Sequence, residues 1–100
     1  MSYFATMRDG IAAHKDNGGH FFDPLTMRFF RSRVGRRIYG GQYFVTSERD
    51  GFSLNPRRYT VRKFTGPDGD VETVGEFQQY ASRSGAIAAA KRYAIKGERS

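Results

Sequence analysis

Histidine is the first residue type to consider for catalysis or metal binding, because the chain has two histidines and no cysteine. A nucleophilic serine or threonine needs a histidine or lysine as its base. His14 and His20 flank the turn sequence Asp16–Gly19, a position typical of surface or structural histidines. His20 and Asp23 could share a metal ion, but no further ligand converges on them in sequence. The sequence therefore predicts no catalytic residue, no metal site, no cofactor and no enzyme activity.

Arginine is the residue type that points to ligand binding in this sequence. Thirteen of the seventeen basic residues are arginine, and the formal net charge is +7. A guanidinium group donates hydrogen bonds as a planar fork that fits phosphate and carboxylate oxygens. A small basic domain is attracted to nucleic acid or to an acidic protein. An ordinary solvated basic surface has the same composition, so the charge alone leaves that alternative open.

The positive charge is concentrated in one loop and one predicted strand. The predicted nucleic-acid contacts are Arg31, Arg33, Arg36, Arg37, Arg57, Arg58, Arg62 and Lys63. Aromatic rings interleaved with such residues can stack on bases. The stacking candidates are Tyr43, Tyr59 and Phe64. In the alternative interpretation these rings belong to the core and the arginines pair with the ten acidic residues.

Three segments rich in β-branched and aromatic residues are predicted to be the strands that position these side chains. They are Gln42–Ser47, Arg57–Phe64 and Val71–Phe77. A turn at Gly66–Gly69 joins the last two strands as a hairpin. The resulting register places Val61 opposite Val74, Lys63 opposite Glu72 and Phe64 opposite Val71. Apolar residues then face apolar residues and positive charge faces negative charge, which favours this register.

An amphipathic helix is predicted near the N terminus. Phe4, Met7 and Ile11 recur at helical spacing after Ser2, which can cap the helix, and the pattern ends near Lys15. The turn residues that follow stop the helix.

An aromatic segment separates this helix from the sheet. Its phenylalanines are Phe21, Phe22, Phe29 and Phe30. Asp23 before Pro24 predicts a helical turn, which leads into a strand near Phe29 to Arg33. Whether the four rings lie in the core or at an interface stays open at this point. An exposed cluster would indicate self-association or a protein partner.

The alanine-rich segment Gly85–Ile95 predicts a second helix, capped by Ser82 or Ser84 and ending at Lys96 and Gly97. Residues 97–100 are expected to fray. The chain is therefore predicted to be a single α+β domain over residues 1–100. It has an N-terminal helix, an antiparallel sheet of three to four strands, and a C-terminal Ala-rich helix packed on one sheet face. Both helices are expected on that same face.

Neither a membrane-spanning run nor a signal-peptide pattern occurs in the sequence. The absence of cysteine fits a reducing compartment. We therefore expect a soluble cytoplasmic protein that does not associate with a membrane.

The order of strands and helix over residues 43–94, with the helix sequence Ser82–Arg92, resembles two kinds of nucleic-acid-binding module. One is the double-stranded-RNA-binding domain, and the other is the arm-type DNA-binding domain of phage-like integrases. The resemblance implies DNA or RNA as the partner. The start of the helix lacks the Lys-Lys cluster of the RNA module and has only Arg83 there.

Most of the chain also resembles a family of small phage and prophage proteins of unknown function. The segments that carry this resemblance are Thr26–Arg33, Tyr43–Glu48, Arg58–Arg62 and Thr73–Gln78. The resemblance implies an accessory phage protein in a bacterial cytoplasm, and it carries over no functional residue. Such a protein would bind nucleic acid or disable a host protein, for example a defence nuclease. The positive charge favours nucleic acid as the partner, with an acidic host protein as the alternative.

Overall fold

A computed structural model describes residues 3–29, 31–49 and 56–99, without the side chains of Phe29 and of residues 97–99. The predicted cap Ser2 and the ring of Phe30 lie outside this part of the chain. The described residues form helices α1 (Met7–Asp16), α2 (Pro24–Phe29) and α3 (Arg83–Arg99) and strands β1 (Arg33–Val34), β2 (Tyr43–Glu48), β3 (Arg58–Phe64) and β4 (Val71–Val74). The predicted α+β fold is confirmed. None of the described helices is long and apolar enough to cross a membrane.

The described strands form an antiparallel sheet in the order β1-β2-β3-β4. The predicted hairpin register between β3 and β4 is confirmed, with Val61 opposite Val74 and Lys63 opposite Glu72. β4 ends at Val74 instead of Phe77, because Gly75 has a φ of 75° and turns the chain out of the sheet. The first strand begins at Arg33 instead of near Phe29, since α2 continues to Phe29.

The sheet is covered on both faces, so the expectation that both helices share one face is wrong. Val45 and Val61 pack against the alanines of α3 on one face. Phe44 and Phe64 pack with Met7 of α1 on the other. Side chains alternate between the faces of a strand, and here each face carries apolar residues that must be covered. Each face therefore needs its own covering helix.

Helix α1 is capped by Thr6, whose hydroxyl accepts a hydrogen bond from the backbone N–H of Asp9 at 3.2 Å. The helix lies directly on the ring of Phe64. A Cβ atom added at Gly10 would come within 2.5 Å of the Phe64 ring. Glycine at this position therefore sets how closely α1 approaches the sheet.

His14 connects α1 to two other parts of the fold. Its Nδ1 atom lies 2.7 Å from the carbonyl oxygen of Gly69 in the β3–β4 turn. Its Nε2 atom accepts a hydrogen bond from the backbone N–H of Phe21 at 3.1 Å. A carbonyl oxygen only accepts, so the proton is on Nδ1. Both ring nitrogens therefore make hydrogen bonds that hold parts of the fold together, as expected for a buried histidine.

Helix α3 begins after Ser82, whose hydroxyl accepts from the backbone N–H of Gly85 at 3.1 Å. Of the two predicted caps, Ser82 is therefore the one used. The helix continues to Arg99, past the predicted end at Lys96 and Gly97. An interior glycine costs a helix only about 1 kcal/mol, and the glutamate and arginine that follow favour helix.

Candidate nucleic-acid interface

Arginines converge where β1 pairs with β2, at one end of the sheet. Two adjoining grooves lie there and share Arg33 and Arg57. The first groove has a volume of about 450 Å³, and five arginines are among its described lining residues: Arg28, Arg31, Arg33, Arg49 and Arg57. The second has a volume of about 260 Å³ and is lined in part by Arg33, Arg36, Arg57 and Arg83. We call these seven residues the arginine cluster.

The cluster carries uncompensated positive charge within the described part of the chain. Neither groove has an acidic residue among its described lining residues. The ion pairs formed by the described residues are His20–Asp23 and Arg62–Glu48, and neither involves the cluster. Like charges held this close repel each other and attract an anion.

Arg57 lies at the centre of the cluster and is held in place by the backbone. Its Nη1 atom donates to the carbonyl oxygen of Arg31 at 2.6 Å, to that of Ser47 at 3.2 Å and to the Ser47 hydroxyl at 3.1 Å. Desolvation by burial lowers the pKa of Arg57, and the charge of Arg33 lowers it further. An anion in the groove would oppose both effects, since it favours the charged form.

Arg49 provides a donor that lacks a partner. Its Nε atom is buried, and no hydrogen-bond partner for it exists in the described part of the chain. A buried donor without an acceptor costs about 1–3 kcal/mol. Because Arg49 lines the first groove, an anion bound there could supply the acceptor.

Arg37 lies beside the cluster and lines a small cavity together with Arg36 and Arg83. The other predicted contacts are elsewhere. Arg58 donates from Nε to the carbonyl oxygen of Gln78 at 2.7 Å and from Nη2 to that of Gln79 at 3.1 Å. Its guanidinium group thus holds the segment after β4 next to β3.

Lys63 lies at the far end of β3 from Arg57, paired with Tyr43 on β2 and Glu72 on β4. It is therefore separated from the arginine cluster by the length of the strand.

The prediction that Arg62 contacts phosphate must be corrected, because the charge of Arg62 is compensated inside the protein. Its Nη2 atom donates to Oε1 of Glu48 at 2.9 Å, and Glu48 is 1% exposed. Nε donates to the Thr46 hydroxyl at 3.1 Å, and Nη1 donates to the Thr73 hydroxyl at 2.6 Å. The hydroxyls of Thr46 and Thr60 donate to the Glu48 carboxylate. A guanidinium group in this network is not available as an independent phosphate contact.

The predicted stacking residues also differ in position. Phe64 is fully buried between β3 and α1, so the prediction that it stacks on a base is wrong. Tyr43 is stacked on Tyr93 of α3, with ring centroids 5.9 Å apart. Tyr59 packs against the α3 core and lines the second groove, so it is the stacking candidate that adjoins the cluster.

An aromatic pocket adjoins the first groove on the α1 side of the sheet. Its volume is about 380 Å³, and its lining includes Phe21, Met27, Phe77, Glu48 and Arg62. The guanidinium carbon of Arg62 lies 5.1 Å from the ring centroid of Phe21 and 5.5 Å from that of Phe77.

The aromatic segment is divided between core and surface. Phe22 is buried, whereas Phe21 is half-buried at the aromatic pocket. Its other two rings, those of Phe29 and Phe30, are outside the described side chains.

Among the described residues, no three or more histidine or acidic side chains come close enough together to hold a metal ion. Nδ1 of His20 lies 2.7 Å from Oδ2 of Asp23, so these two side chains pair with each other at the surface.

A family model matches residues 4–91, a range that contains the whole sheet and every residue of the arginine cluster. The chain belongs to the family of unknown function DUF7447. The prediction of an uncharacterised family is thereby confirmed. No curated protein and no solved structure matches the chain.

Sequence reasoning missed three arginines of this DUF7447 protein's cluster: Arg28, Arg49 and Arg83. Arg28 lies on α2 just before the basic loop, whereas Arg49 and Arg83 are separated from that loop by one or more strands. Tertiary contacts bring them together: β1 pairs with β2, Arg28 and Arg49 line the first groove, and Arg83 at the start of α3 lines the adjoining second groove. Phe77 was missed as a pocket residue because it was assigned to a strand. The positive φ of Gly75 moves it to a turn.

Proposed function

We propose that this DUF7447 protein is a non-enzymatic binding protein whose partner is nucleic acid, held by its phosphates in the arginine cluster. The observation that carries the proposal is the first groove, where five arginines and no carboxylate occur among the described lining residues.

The chemistry of the cluster suits phosphate oxygens. Arg57 makes its hydrogen bonds to the described residues through Nη1, which leaves Nε and Nη2 for a ligand. Nε of Arg49 is a buried donor without an acceptor among the described residues. Arginine binds phosphate through such forked, charge-assisted hydrogen bonds. Contacts of this kind position a nucleic acid without reading its sequence.

An accessory phage protein that disables an acidic host protein is the second candidate. Exposed apolar side chains favour a protein partner: Leu25 is 80% exposed and Ile95 is 50% exposed. These two side chains lie on different helices, α2 and α3, and a protein interface needs a continuous apolar centre. Nucleic acid is therefore the first choice.

The test compares a cluster variant with a matched variant elsewhere. Arg28→Ala/Arg33→Ala removes two exposed arginines that line the first groove, and Arg8→Ala/Arg92→Ala removes two exposed arginines outside both grooves. Both variants lower the net charge by the same amount. Fluorescence anisotropy with labelled single-stranded DNA, duplex DNA and RNA is measured over a salt series.

We expect the cluster variant to bind less tightly and to have a flatter plot of log affinity against log salt. The slope should fall by about 0.7–0.9 for each phosphate that the variant no longer neutralises, while the matched variant keeps the slope of the original protein. Equally weakened binding in both variants would show that only net charge attracts the probe. No binding to any of the three probes at low salt would favour the protein partner.

A further inference from the structure

We infer that the aromatic pocket holds an unpaired base of the bound strand, so that the partner is single-stranded nucleic acid. This inference rests on the proposed function, because the phosphates of that strand lie in the arginine cluster. Four observations carry it: the walls of the pocket, its polar floor, its connection to the first groove and its volume.

The walls of the pocket are suited to a flat ring. Phe21, Met27 and Phe77 contribute aromatic and thioether surface, and the volume of about 380 Å³ exceeds that of a nucleobase. Phe77 is 45% exposed, so part of its ring is accessible to solvent beside the contact with Arg62. Bases stack on such side chains irrespective of their sequence, because every base has a π face.

The floor of the pocket offers hydrogen bonds to the edge of a base. Arg62 uses three of its N–H groups on Thr46, Thr73 and Glu48, and a guanidinium group has more than three. Glu48 is 1% exposed, and its carboxylate holds the Arg62 guanidinium group in position. The pocket thus presents the remaining N–H donors of Arg62 to the edge of a base.

The pocket and the first groove share two lining residues, Met27 and Ser32. A base in the pocket would therefore have its own backbone at the entrance of the groove. Arg28 and Arg31 line that groove and can neutralise the phosphates on either side of the base. The charge of the groove and the apolar pocket together match one nucleotide.

This arrangement discriminates between single and paired strands. The bases of a duplex are stacked and paired, and one must be unpaired and flipped out before it can enter a pocket. The arginine cluster alone would accept either form. The aromatic pocket therefore predicts tighter binding to single strands.

The experiment uses two labelled single strands with equal numbers of phosphates. One is a short oligodeoxythymidine, and the other is a strand of abasic deoxyribose phosphates. We expect the thymidine strand to bind about five- to 150-fold more tightly, the effect of stacking one base on aromatic residues. It should also bind more tightly than a duplex of the same length.

Phe77→Ala tests the pocket, and Ile95→Ala is the matched truncation of an exposed apolar side chain on α3. We expect Phe77→Ala to remove the preference for the thymidine strand and to leave abasic binding unchanged. Ile95→Ala should retain both the preference for the thymidine strand and the binding of the abasic strand. If Phe77→Ala does not fold, as judged by circular dichroism, Phe77→Leu replaces it, because leucine keeps an apolar side chain but has no aromatic ring.

Equal binding of the two strands, a preference that survives Phe77→Ala, or duplex binding as tight as single-strand binding would each overturn the inference. A different result would refute the proposed function. If Arg28→Ala/Arg33→Ala leaves abasic binding and its salt slope unchanged, phosphates do not bind in the cluster. If abasic binding depends on the cluster but the bases add nothing, the proposed function stands without the base pocket.

Discussion

Arg62 donates from Nη2 to Oε1 of Glu48 at 2.9 Å, with 12% and 2% of the two side chains exposed. The pair links β3 to β2 on the sheet face that also packs against α1. Three threonine hydroxyls, those of Thr46, Thr60 and Thr73, complete its hydrogen bonds. The most polar part of the sheet is thus an internal network that also forms the floor of the aromatic pocket.

The Glu48–Arg62 pair should be costly to break on one side. Arg62→Met leaves the Glu48 carboxylate buried without its cation, and we expect a decrease of about 3–5 kcal/mol in the free energy of unfolding. Urea denaturation measures it. The double variant Glu48→Gln/Arg62→Met should be less destabilised than Arg62→Met alone, since no buried charge is left unpaired. A single variant as stable as the original protein would contradict this account of the pair.

Gly10→Ala tests how closely α1 approaches the sheet. The added Cβ atom meets the Phe64 ring at 2.5 Å, so we expect overpacking to lower the free energy of unfolding by about 1–3 kcal/mol. Alanine at an open helical position would instead raise stability by about 1 kcal/mol. The sign of the change in thermal denaturation therefore decides whether the helix lies this close to the ring.

His14→Ala and His20→Ala compare two histidines with different roles. His14→Ala removes the hydrogen bonds to Gly69 and Phe21 and leaves both backbone groups without their partner. We expect it to cost about 2–4 kcal/mol in chemical denaturation. His20 is exposed and pairs with Asp23 at the surface, so His20→Ala should change stability by less than about 0.5 kcal/mol. Similar destabilisation in the two variants would refute the structural role of His14.

Pyrophosphate should stabilise the protein if anions bind in the arginine cluster. A ligand at a hundredfold excess over its Kd adds about 2.7 kcal/mol to the free energy of unfolding. Tm should then rise by about 4–8 °C for each kcal/mol, measured against sodium chloride of equal ionic strength. Arg28→Ala/Arg33→Ala should abolish this rise and Arg8→Ala/Arg92→Ala should keep it. A rise of equal size in both variants would mean that pyrophosphate binds outside the cluster.

The sequence determined the local structure through short-range rules. Period-two alternation predicts β2 and β3, and complementary pairs across the turn predict the register that places Val61 opposite Val74. Asp23-Pro24 marks the start of α2, and Ser82 is one of two caps predicted for α3. These features depend on neighbours in sequence or across a single turn, so the residues themselves are enough to specify them.

Tertiary structure alone decided which face each helix covers and which charged side chains meet. Apolar residues occur on both faces of β2 and β3, so both faces need a covering layer, but the sequence pattern does not say which helix covers which face. The pairing of β1 with β2 and the docking of α3 bring Arg33 and Arg83 to one groove. The same sheet turns Arg62 inward to Glu48. Convergence of charges depends on long-range packing, whereas the sequence pattern records only local spacing.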